Sequence, residues 1–170
     1  MWQKGDDWRN LHLWRGRKWC WYSTPEQARE NVDAVFRPKS EIMDAARIIA
    51  EDMGLPVDWL NDSVKGFLSH NEKLKDEPIE ELEGLSHLRI TWPTAEYLLA
   101  MKCLAARSEE TSQDRQDVEF LIRSLGLTTE KAVLEIVEQF YPQSRIHVKT
   151  RYFVEEIIAG MKQDAKLHQD

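Results

Sequence analysis

The chain has little of what marks a secreted, metal-stapled or membrane-bound protein. Its 170 residues include two cysteines, Cys20 and Cys103, whose wide separation matches neither a zinc pair nor a disulfide framework. Both read as packing residues in a reducing compartment. No apolar run approaches the ~20 residues that cross a bilayer. The opening MWQKGDDWRN also lacks the charged-then-apolar order of a signal peptide, so a cytoplasmic location without membrane contact is expected. Seven glycines and six prolines fit an ordinary globular chain long enough for a single domain, residues 1–170, with one core. The histidines His12, His70, His87, His147 and His168 fall at no metal-ligand spacing. Nucleophile-elbow, Walker and Rossmann glycine patterns are missing.

Charge and tryptophan are unevenly spread. Residues 1–24 carry Lys4, Arg9, Arg15, Arg17 and Lys18 against Asp6 and Asp7, a balance of +3, which leaves −10 on the remainder of a chain with net charge −7. An acidic body argues against broad binding to a nucleic-acid backbone, because that affinity comes from basic surface. Trp2, Trp8, Trp14, Trp19 and Trp21 place five of the seven tryptophans in the same basic segment. Aromatic residues beside arginine are typical of interfaces. These five are therefore candidate contacts of a homo-oligomer, with burial against the chain's own domain as the alternative.

Hydrophobic spacing predicts a helix-rich α+β chain. Asn31–Phe36 alternates as a strand, with Val32, Ala34 and Phe36 on one face. Ser40 is placed to cap a helix bearing Ile42, Ala46, Ile49 and Met53 and stopped by Gly54. Asp58 is placed to cap a short helix carrying Leu60, Val64, Phe67 and Leu68. His87–Trp92 reads as a second strand. Four helices follow: one capped by Thr94 and running to about Arg107, one with Val118, Leu121 and Ile122 ended by Gly126, one opened by Thr128 or Thr129 and closed by Pro142, and one over 150–166.

Three groups could carry chemistry. On a strand, residues i and i+2 share a face, so Asn31 and Asp33 present two oxygen ligands suited to one divalent metal. Only one of them is a carboxylate. In LPVDWLNDSVKGFL, Asp62 and Lys65 sit one helical turn apart, where they can pair locally or line a polar cleft walled by Trp59. Lys102 and Arg107 can reach a phosphate. Asp114 and Asp117 are explained by favourable charge in a helical first turn.

In order along the chain, NVDAVFRPKSEI, LPVDWLNDSVKGFL, PTAEYLLAMKCLAAR and QDRQDVEFLIRSLGL resemble segments of a bacterial nucleotidyltransferase-like family related to the nucleotidyltransferase toxins of toxin-antitoxin systems. The resemblance implies a remnant of the family's sheet, with strands near 31–36 and 87–92, followed by a C-terminal helical bundle. Residues 1–24 are then an atypical segment, 25–92 the α/β remnant and 93–170 the helical half. Carried over by position, the paired metal acids fall on Asn31 and Asp33, a further catalytic carboxylate on Asp62, and nucleotide-binding cations on Lys65, Lys102 and Arg107. Mg2+ is the implied cofactor of an active member and a nucleoside triphosphate its ligand.

Two departures stand out. Asn31 replaces an acid, and no glycine-rich phosphate loop precedes the strand. Catalysis of this class is metal positioning and charge stabilisation, so the expected function is that of a degenerate relative, catalytically weak or inactive, that binds a protein partner or a nucleotide. The alternatives are an active Mg2+-dependent enzyme using Asp33 with Asn31, and an oligomeric interaction module built on the tryptophan-rich segment.

Overall fold

The computed structural model describes residues 11–13, 32–76, 89–106 and 113–167. Among them are five strands and five α-helices, an α+β arrangement in which helix dominates. The chain divides into two compact units, Met1–Gly66 with Leu74–Pro93, and Phe67–Lys73 with Thr94–Asp170. No helix among the described residues is long and apolar enough to cross a membrane.

The first unit is a mixed sheet with one helix. Strands β1 (Leu11–Leu13), β2 (Val32–Phe36), β3 (Leu60–Asn61), β4 (Leu74–Asp76) and β5 (Ile90–Pro93) lie in the order β3-β2-β1-β5-β4. β1 runs antiparallel to β2 and parallel to β5, β2 is parallel to β3, and β4 is antiparallel to β5. Parallel neighbours need a crossover, which for β2 and β3 is helix α1 (Lys39–Met53). Its inner stripe includes Ala46 and Ala50, small enough to bring the helix close to the strands. Ala46 packs with Ala34, Phe36 and Leu60, and Trp59 closes this cluster while donating its indole N–H to the Ala46 carbonyl at 2.9 Å.

Two local expectations are corrected. Ser40 does not cap α1: the cap position falls two residues earlier, at Pro38, and the Ser40 hydroxyl donates to Glu41 instead. The predicted helix from Asp58 does not form either. Leu60 and Asn61 pair with β2, and only Ser63–Phe67 coils, as a 3-10 turn. The Asn61 side-chain oxygen accepts the Ser63 N–H at 3.0 Å, a local bond that favours a turn over an α-helical start. The predicted stop holds. Gly54 takes φ 65°, and it and Leu55 return their N–H groups to the Ala50 carbonyl, as a left-handed terminator should.

The second unit is a bundle of α2 (Ala95–Ala105), α3 (Gln113–Ser124), α4 (Glu130–Phe140) and α5 (Val148–Leu167). Thr94 and Thr129 cap α2 and α4 by accepting the N–H of Tyr97 and of Ala132. Gly126, at φ 66°, ends α3. α2 is buried on more than one side: Leu99, Ala100 and Cys103 are buried as well as Tyr97 and Met101. It packs against α3, α4 and α5, and a helix covered on several sides is apolar nearly all round. Burial pushes the Cys103 thiol up to about 12, so it stays protonated and unreactive, in keeping with a packing role.

Phe67–Lys73 joins this bundle although it lies between β3 and β4 in sequence. Its backbone polar groups are met by bundle side chains. The Ser69 N–H donates to the Tyr97 hydroxyl at 2.9 Å, the Tyr141 hydroxyl donates to the Phe67 carbonyl, and Arg145 donates to the Leu68 carbonyl at 2.8 Å. The Ser69 hydroxyl in turn donates to the Phe140 carbonyl.

Within α5, a Cβ added at Gly160 would meet only the Arg115 guanidinium, at 3.7 Å, an ordinary contact. Glycine inside a helix costs roughly 0.5–1 kcal/mol relative to alanine. Gly160→Ala is therefore expected to raise stability by about that amount, read as a higher urea midpoint at unchanged slope.

Candidate functional site

The first candidate group is built by the βαβ unit. Register pairs Asp33 of β2 with Asn61 of β3, and lateral neighbours in a sheet project to the same face. Asp62 follows directly. Its carboxylate lies 2.6 Å from the Lys39 ammonium, at the start of α1, and 2.5 Å from that of Lys65 in the 3-10 turn. Hydrogen bonds from Lys39 first, and then from Lys65, hold the Asp62 carboxyl down at about 2. The pairing also offsets the unfavourable position of a cation, Lys39, at a helix N-terminus.

Lys39 and Asn61 are the members that sequence reasoning missed. Neither shows a local signal, since Lys39 is 23 positions from its partner and Asn61 meets Asp33 only through strand pairing. Trp59 stands in the core cluster of this unit.

A pH dependence follows. A carboxyl whose folded value is lowered from 3.8 to about 2 adds stability that is complete above the unfolded value and is lost as pH falls through the folded one. Because both lysines are well exposed, the gain is on the order of 1 kcal/mol. Asp62→Asn should lower stability by about that much at neutral pH and flatten the acid limb between about pH 4 and 2, as followed by thermal melts.

The second group lies within the bundle. Lys102 of α2 places its ammonium 2.9 Å from Asp114 and 2.9 Å from Asp117, both on α3. Its side chain is only 18% exposed, and those of the two acids 29% and 21%. A cation held by two carboxylates is screened by them, which makes it a poor partner for a phosphate. Asp114 and Asp117 are thus more than first-turn charges: they hold the lysine that the resemblance assigns to the nucleotide.

Asn31, Arg107 and the five tryptophans Trp2, Trp8, Trp14, Trp19 and Trp21 lie outside the described residues. Asp33, Asp62 and Lys65 fall in the first unit and Lys102 in the second.

No family model, curated protein or solved structure matches the chain. The nucleotidyltransferase resemblance therefore stands on its sequence segments alone.

Mg2+ is poorly suited by the residues described. No three His, Cys, Asp or Glu side chains among them come together as a metal site. Asp62, the one carboxylate adjoining the Asp33 pair in sequence, is held by two ammonium groups that a divalent cation would have to displace against their own positive charge.

Proposed function

We propose that this chain is a degenerate nucleotidyltransferase-like protein that does not transfer nucleotides efficiently and acts by binding a protein partner or a nucleotide. The observation that carries the reading is the internal closure of its candidate chemical groups. Asp62 is held between Lys39 and Lys65, and Lys102 between Asp114 and Asp117. Phosphoryl and nucleotidyl transfer depend on metals and cations aimed at the developing phosphate charge. A carboxylate already bound by two ammonium groups is a poor metal ligand, and a lysine already shared by two carboxylates is a poor phosphate clamp. The replacement of the first acid by Asn31 weakens the same site from the sequence side.

The test is nucleotidyl transfer by the full chain with each nucleoside triphosphate and Mg2+, run beside a thermal-shift titration. No transfer is expected from the native protein, and Asn31→Asp should not restore an activity the closed pairs still block. A nucleotide that binds only the folded state raises the melting temperature in proportion to RT ln(1 + [L]/Kd). A shift without turnover supports nucleotide binding, and no shift at millimolar nucleotide supports the protein partner. Mg2+-dependent transfer abolished by Asp33→Ala would overturn the proposal in favour of an active enzyme.

A further inference from the structure

We draw no further inference here: the strongest candidate, the exposed apolar end of α1 and its following loop formed by Ile48, Met53 and Val57 beside Glu51, Asp52 and Asp58, is an unpartnered face for which nothing in the structure shows what covers it.

Discussion

Tyr97→Ala is expected to destabilise the helical unit by about 4–5 kcal/mol, and Tyr97→Phe by about 1–2 kcal/mol. The Tyr97 ring is fully buried and stacks on Phe140 with centroids 4.9 Å apart, so truncation leaves a cavity whose walls cannot fully collapse. Its hydroxyl accepts the N–H of Ser69, a residue only 6% exposed, and that donor is left without its acceptor in either variant. The difference between the two variants separates ring from hydroxyl. Four of the five helices among the described residues lie in this unit, whereas the two described tryptophans, Trp59 and Trp92, lie in the other. Helical circular dichroism in urea is thus the readout, and a change confined to tryptophan emission would contradict the assignment. A second signature is alkaline. Burial pushes the Tyr97 phenol from 10.0 up to about 12, so its contribution is complete below the unfolded value and is lost as pH rises from about 10 to 12. Tyr97→Phe should shrink that loss, leaving the part due to Tyr141, which burial raises as well.

The same residue shows what sequence reading can and cannot reach. Its place on α2, the Thr94 cap and the stops at Gly54 and Gly126 were legible, because caps, terminators and 3.6-residue spacing act within a few positions of one another. The β2 strand was legible for the same reason, although Val35 is buried together with Ala34 and Phe36, so strict alternation fails towards its end. What escaped was non-local. Leu60 reads as helical in isolation and becomes a strand only because β2 offers it a partner. Ser69 pairs with Tyr97 across 28 positions, and Arg145 reaches Leu68 across 77. No periodicity encodes such contacts. The candidate site divides along this line. Lys65 with Asp62 was foreseeable from an i, i+3 spacing, while Lys39 required the fold.

Lys102→Met is expected to cost about 2 kcal/mol, and the sign of that change bears directly on function. Removing one member of a buried ion pair costs roughly 3–5 kcal/mol because the remaining charge is stranded. The partial exposure of all three side chains here, 18–29%, lowers the figure. Methionine keeps the length and apolar stem of lysine, so the loss reports charge rather than packing. With the ammonium gone, Asp114 and Asp117, one turn apart on α3, repel each other without the cation between them. Adding Asp114→Asn and Asp117→Asn should then recover about 1 kcal/mol. Full recovery is not expected, since Asp114 in the first turn of α3 also favours the helix dipole by about 0.3–1 kcal/mol. A lysine retained to hold a triphosphate behaves in the opposite way. Groups kept for function commonly sit at the expense of stability, so neutralising it leaves the fold unchanged or firmer while abolishing a nucleotide-induced thermal shift. Urea unfolding of the single and triple variants, with and without nucleotide, distinguishes the two. A destabilised single variant partly rescued by the triple one makes Lys102 a structural tie between helices, whereas a stable single variant that has lost a nucleotide shift restores it to a binding site.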